Sequence, residues 1–310
     1  MAALLVLLAL PGCSRRAPTE ASGSTTPQQA VAEGYRLLRR NDIDALYRHA
    51  LTPGLYARMR AQWQPPATAA SFSPAEHAQF DKLMAVLAAP GADVLLWAEI
   101  KPRLPALQAR YQPQLPAMIG MLRTMADTAI RRSPTLTPLE QVQAIAALGA
   151  VADWAQRAPW FDADHVKRVL GILTATAQKM PFRTLDEALS LPYGESMQVT
   201  GALWSAFKQI LAVYGLSVDT ILDSAQIKLL SDDGNVAVVQ SRFDVLGQTI
   251  GRDTTLIKQD GRWYDRSTLL HWRQVLTPPP APAPAASVHG TRAPAVSTSS
   301  AAPVHAAGAH

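Results

Sequence analysis

The side chains able to move a proton or hold a metal are few and scattered along the chain. Asp162, Asp164 and His165 form the densest group, in which a carboxylate could orient an imidazole for proton transfer. Asp162 also stands where a helix cap belongs, and acids in a first helical turn favour the helix dipole, so capping is the stronger expectation. His271 beside Trp272, and His49 near Asp42 and Asp44, sit among residues explained by packing or solvation. His289, His305 and His310 lack the spacing of metal ligands. The sequence holds no lipase-type serine elbow, no phosphate-cradling glycine loop and no zinc-protease helix motif. The expectation is a protein with no catalytic residue, no cofactor and no metal.

Cys13 is the one cysteine, so no internal disulfide can form and stability must come from an apolar core. The residues before it give it a different use. An apolar run from Ala2 to Leu10 is about half of the ~20 residues that a spanning helix needs, but suits the middle of a secretory signal peptide. It ends at Leu10-Pro11-Gly12-Cys13, which resembles the lipobox of bacterial lipoproteins, with Gly12 as the small residue before the modified cysteine. The resemblance implies that residues 1–12 are a lipoprotein signal peptide. Cys13 would then become a mature N-terminus carrying three acyl chains, palmitate among them. Each buried CH₂ contributes about 0.8 kcal/mol, so one chain holds a protein reversibly and several hold it firmly. Ser14, where that family's inner-membrane members have Asp, implies the outer membrane of a Gram-negative cell, facing the periplasm. Pro11 takes a place where the family usually has a small or β-branched residue. No Lys or Arg precedes the apolar run, which points to a start upstream of Met1.

Low-complexity segments frame the rest. Residues 13–27, rich in Ser, Thr, Ala and Pro, read as a flexible tether. From Thr277 to His310 the chain holds seven Pro and eleven Ala with one charge, too little apolar surface to offset the entropy of ordering, so a disordered tail is expected over 277–310. Such a tail could be passive or a spacer toward peptidoglycan. The formal charge of +5 leaves about +3 between the ends, too slight for the dense basic stripe of a nucleic-acid binder. Arg36, Arg39 and Arg40 share one helical face, expected to be solvated, with contact to anionic lipid or cell wall as the other use.

The elements that must position these groups are mostly helices. Ser73-Pro74-Ala75-Glu76, Thr137-Pro138-Leu139-Glu140 and Thr184-Leu185-Asp186-Glu187 each place a capping hydroxyl three residues before a Glu, the signature of a capping box. Leu139, Val142, Ile145, Ala146 and Trp154 are expected to form one buried face. Val166, Val169, Leu170 and Leu173 form another, and Leu203, Phe207, Ile210, Leu211 and Tyr214 a third. Pro102-Arg103-Leu104-Pro105-Ala106-Leu107 is echoed by Pro113-Gln114-Leu115-Pro116-Ala117-Met118, which predicts consecutive helix starts with bends between them. Met118, Met121 and Met125 read as core filling rather than an adaptable groove.

After about Asp223 the period shortens to that of strands, with turns at Ser231–Asn235, Gly247-Gln248 and Asp260-Gly261. The fold class expected is α+β, with a predominantly helical body over 28–222, an antiparallel β meander over 223–276 packed on the helices, and the disordered tail. The closing run Leu256-Ile257-Lys258-Gln259-Asp260-Gly261-Arg262-Trp263-Tyr264 resembles the last strands of nuclear-transport-factor-like cone domains of bacterial lipoproteins. The helix from Gln28 to Arg40 followed by Asn41-Asp42-Ile43-Asp44-Ala45-Leu46 resembles their opening helices. That family uses its cone pocket for small apolar ligands, for protein contacts and occasionally for catalysis. The helical stretch from about Trp63 to Tyr193 would be an unusually large insertion.

Together these features predict a lipid-anchored periplasmic protein with a non-enzymatic role in binding, assembly or envelope maintenance. Its partners would be the membrane, through acyl chains on Cys13, and an envelope protein or peptidoglycan, with no nucleic acid. One alternative is a binder of a small apolar ligand or lipid in a pocket under the C-terminal sheet. The other is an envelope hydrolase, which needs a cleft joining distant groups such as Asp162 or Asp164 with His271. The seven Trp residues, 63, 97, 154, 160, 204, 263 and 272, could include a sugar-stacking platform, although core packing accounts for most of them.

Overall fold

A computed structural model describes residues 22–63, 72–134 and 136–276. The expected signal peptide, Cys13, the first part of the expected tether and the expected tail with its three histidines lie outside the described residues. The end of the tether differs from expectation. The Gly23 amide donates to the His49 carbonyl, Ser24 forms a β-bridge with Trp263, and helix α1 starts at Pro27.

Helix α1 (Pro27–Arg39) is capped by Thr26 and ends in a Schellman turn. Asn41 takes a left-handed φ of 61°, its amide donates to Leu38, and the Asp42 amide donates to Leu37. Asp42 then caps α2 (Ile43–Ala50), so five consecutive residues stop one helix and start the next. Helices α3 (Pro53–Ala61) and α4 (Pro74–Leu87) follow. The α4 start is one of the three expected capping boxes, and those at Thr137 and Thr184 are also formed.

From Ala92 to Arg131 the chain is a helical rod of three segments, α5 (Ala92–Ile100), α6 (Leu104–Tyr111) and α7 (Leu115–Arg131). The two proline echoes fall at its joints as 3₁₀ turns, Lys101–Arg103 and Gln112–Gln114. Leu104 and Leu115, each before a proline, stay in the right-handed helical region, so the chain tightens there and does not break. Helices α8 (Pro138–Arg157), α9 (Ala163–Lys179), α10 (Leu185–Leu189), α11 (Tyr193–Val213) and α12 (Val218–Asp223) complete the helical part.

The sheet is antiparallel, in the sequential order β1 (Gln226–Asp232), β2 (Val236–Val245), β3 (Gln248–Gln259) and β4 (Arg262–Asp265). The β2–β3 hairpin turns at Leu246-Gly247, one residue earlier than expected, and the β3–β4 hairpin at Asp260-Gly261. All four turn residues have positive φ, as two-residue hairpins require. One face of β2, set by alternation, is covered: Ala237, Val239, Ser241 and Val245 are buried and Phe243 is half-buried. A last helix, α13 (Arg266–Val275), replaces the end of the expected meander. It is capped by Asp265, which accepts from the Thr268 amide.

Three apolar cores hold these elements. Ala30 and Val31 of α1 pack on Ala237, Val239, Leu256 and Trp263 of the sheet. Ile43, Leu51, Leu55 and Met59 meet Tyr193 and Met197 of α11, Tyr264 of β4 and Leu269 of α13. Met84 of α4, Ala177 of α9, Met180, Phe182 and Leu191 form the third. Glycine decides one close approach: a Cβ on Gly201 of α11 would fall onto the Asn41 carbonyl oxygen. Beside it, Trp204 Nε1 donates to Leu38 O at 2.9 Å and the buried Lys208 Nζ to Arg39 O at 2.8 Å. The Arg39 carbonyl, free at the end of α1, is thus satisfied by α11, which also adds a second donor at Leu38 and places a cation at the negative end of the helix dipole.

Several faces expected in the core are open. Leu139 and Val142 of α8 are 64% and 66% exposed, and Leu203 and Phe207 of α11 are 53% and 50% exposed. The covered side of α11 runs instead through Tyr193, Met197, Gly201 and Lys208. Helical spacing shows which residues share a face, but only the neighbouring elements determine which face is covered.

Candidate functional site

The groups that could do chemistry are placed apart and tied to the fold. Asp162 is the N-cap of α9, accepting from the backbone amides of Asp164 and His165 as well as from the His165 ring. Those bonds, the His165 side chain first, hold its carboxyl below the ordinary range. The His165 ring stacks on Tyr214, with centroids 5.7 Å apart, inside an aromatic group that includes Trp154 and Trp160. His271 is exposed on α13, which packs on β3 and β4, whereas α9 packs on α4, α5 and α11. The acids and histidine named for a hydrolase therefore stand on elements with different neighbours.

His49 is buried, and its Nε2 lies 2.8 Å from the Ala30 carbonyl oxygen, which fastens α2 to α1. Asp44 occupies a more elaborate setting. One carboxylate oxygen accepts from the hydroxyls of Tyr56 at 2.6 Å and Tyr193 at 2.7 Å, while the other pairs with Arg48. Burial alone would raise its pKa, but the two tyrosines and Arg48 outweigh that and hold it below the usual carboxylate range. Burial, reinforced by hydrogen bonding to Asp44, pushes the Tyr193 phenol well above its ordinary value. An acid kept ionised and a phenol kept protonated are poor partners for proton transfer near neutral pH. Arg60 lies over the rings of Tyr56 and Tyr193, at 5.8 and 5.4 Å from their centroids. A cavity of about 460 Å³ opens beside this node, lined by Arg40, Asn41, Arg48, Arg60, Met197 and Gln198 among others. In the sequence, Asp44 stands out only as a neighbour of His49. Its tyrosine partners stand on α3 and α11, and no local spacing connects them.

A second cavity, of about 270 Å³, lies between α1, α2 and the sheet. Ala30, Val31, Leu256 and Trp263 supply apolar walls, while Tyr35, His49, Arg252 and Asp265 supply polar ones. Tyr35 donates to Ser241 Oγ at 2.9 Å and its ring packs edge-on against Phe243, which fixes it at the cavity wall.

Among the described residues α7 carries the largest group of exposed large apolar side chains on one helix, and none of its seventeen residues is buried. Met118, Met121, Leu122 and Met125, at successive helical spacings, form one outward stripe, with Met121 59% and Met125 63% exposed. The methionines expected to fill a core therefore face outward, because α7 turns Leu115, Ile119, Ala126 and Ile130 toward the half-buried side and packs on α8. Of the arginines on α1, Arg36 pairs with Glu33 and Arg39 with Asp223, while Arg40 lines the cavity near Asp44. Among the described residues no group of three or more His, Cys, Asp or Glu side chains could hold a metal ion. Compared with protein-family models, curated proteins and solved structures, the chain matches none.

Proposed function

We propose that this chain is a lipid-anchored protein of the outer membrane, facing the periplasm, that works by binding rather than by catalysis. The observation that carries the binding role is the outward stripe of Met118, Met121, Leu122 and Met125. Large apolar side chains set side by side on a surface mark a place of contact, whereas single ones are ordinary. The location rests on Leu10-Pro11-Gly12-Cys13. A non-enzymatic role accords with how Asp44, Asp162 and His49 are used, each in bonds that join or cap elements of the fold.

The test is the intact mass of the native protein together with membrane fractionation, beside a Cys13→Ala variant. The expected mass begins at Cys13 and includes added acyl groups, and outer-membrane recovery disappears in the variant. An unmodified mass with soluble recovery of both chains sinks the anchor. A second reading, a pocket for a small apolar molecule, is favoured by the cavity between α1, α2 and the sheet. It would agree with the likeness of the opening helices and closing strands to nuclear-transport-factor-like cone domains.

A further inference from the structure

We infer that α7 is a membrane-docking helix: its Met118, Met121, Leu122 and Met125 stripe enters the interface of the bilayer to which Cys13 is joined, with the surrounding arginines on anionic headgroups. The inference rests on the anchoring reading and names the partner of that exposed stripe.

Three observations favour a lipid surface over a protein groove. First, α7 is amphipathic: the half-buried Leu115, Ile119, Ala126 and Ile130 and the methionine stripe make one broad apolar face, opposite Gly120, Thr124, Asp127 and Arg131. A strongly amphipathic helix is the kind that lies in a bilayer interface, and α7 has no buried residue. No single helix among the described residues is long and apolar enough to cross a membrane.

Second, the charge is concentrated where a membrane surface would use it. Between Lys101 and Arg132 the chain carries Lys101, Arg103, Arg110, Arg123, Arg131 and Arg132 against one acid, Asp127, a surplus equal to the formal +5 of the whole chain. Glu99 and Asp127 pair with Arg103 and Arg131, which leaves a net positive rod. On α7, Arg123 and Arg131 lie toward the polar side of the helix, where interfacial helices carry the basic side chains that attract anionic lipid.

Third, nine residue steps separate Cys13 from Ser22, the first described residue, so the covalent link is at most about 30 Å long at ~3.3–3.6 Å per residue. A domain held that close meets the bilayer at high effective concentration, and a weak apolar stripe is then enough to orient it.

The test uses the mature-length chain starting at position 13 with Cys13→Ala, so that no acyl chain contributes, and with Met125→Cys carrying an environment-sensitive fluorophore. It is mixed with phosphatidylethanolamine vesicles, with and without phosphatidylglycerol. The expected result is a blue shift and protection from an aqueous quencher at position 125 that grows with the anionic lipid, and no change for the same label at Ser231→Cys on β1. Adding Met118→Gln, Met121→Gln and Leu122→Gln should lower vesicle binding on the order of tenfold or more. Circular dichroism is expected to stay unchanged, because these side chains are exposed. An unshifted label on anionic vesicles overturns the inference. So does a label already protected before vesicles are added in a chain that sediments as a dimer, which would assign the stripe to a second copy. A shifted label beside an unmodified native mass keeps the docking helix and removes the anchor. An acylated mass beside an unshifted label does the reverse.

Discussion

Three polar side chains, Tyr56, Tyr193 and Arg48, meet at the Asp44 carboxylate. That carboxylate joins α2 to α3 through Tyr56 and to α11 through Tyr193, while Arg48 balances its charge from one turn away. A carboxylate held below its unfolded value of about 3.9 contributes stability that is complete above that pH and is lost as pH falls through the folded value. Asp44→Asn is therefore expected to destabilise the protein at pH 7 by about 1–2 kcal/mol, since two hydroxyls and a guanidinium lose a charged acceptor in a half-buried place. Urea unfolding at pH 7 and pH 3 measures this, and the gap between the two chains should narrow at the acidic pH. An equal gap at both would mean that shape, not charge, is what Asp44 supplies. The sequence placed Asp44 one residue inside a capped helix. It held no sign of Tyr193, which lies 149 positions away.

At the scale of elements, the docking of α8 on β3 shows a helix protecting a strand. The outer edge of β3 is paired by β4 only from Leu256 to Gln259. Beyond that, Glu140 accepts from the Asp253 amide at 2.8 Å and Gln143 from the Gly251 amide at 2.7 Å. An uncovered strand edge invites pairing with other chains, and these two side chains occupy it. Glu140 also closes the capping box of α8, accepting from the Thr137 amide, so one buried carboxylate serves both elements. Burial acts to raise its pKa, and the amides of Thr137 and Asp253 more than compensate. Glu140→Ala should cost about 1–3 kcal/mol by leaving both amides unpaired. Amide exchange at Asp253 should accelerate while Gly251 stays protected by Gln143. Unchanged exchange at Asp253 would show that the helix does not guard the edge. The capping half of this role was legible in Thr137-Pro138-Leu139-Glu140. The bond to β3 joins residues 113 positions apart and was not.

For the molecule as a whole, the layer of α1 and α2 over the sheet leaves the cavity of about 270 Å³. Gly34 of α1 lines it, and a Cβ built there meets nothing within 4 Å. Gly34→Leu is expected to stabilise the protein by about 1 kcal/mol, because an interior helical glycine is replaced by a strong helix former. Thermal melting measures that effect. Native mass spectrometry of the gently purified chains measures the other: an apolar molecule carried by the wild type and lost from Gly34→Leu would place a ligand in this cavity, and retention by both chains would rule it out as the site.

What the sequence determined by itself is local: three capping boxes, the Asn41-Asp42 stop and start, the 3₁₀ joints at the proline echoes, the glycine turns and the alternation of β2. Each depends on backbone groups within about four residues of one another, and the residue types involved have strong conformational preferences. Tertiary structure decided which apolar faces are covered. Leu139, Val142, Leu203 and Phe207 keep helical spacing yet stay exposed, while Gly201 and Lys208 are buried against the end of α1. Burial requires a partner surface, and that surface comes from segments tens to hundreds of residues away, beyond the range of any periodicity.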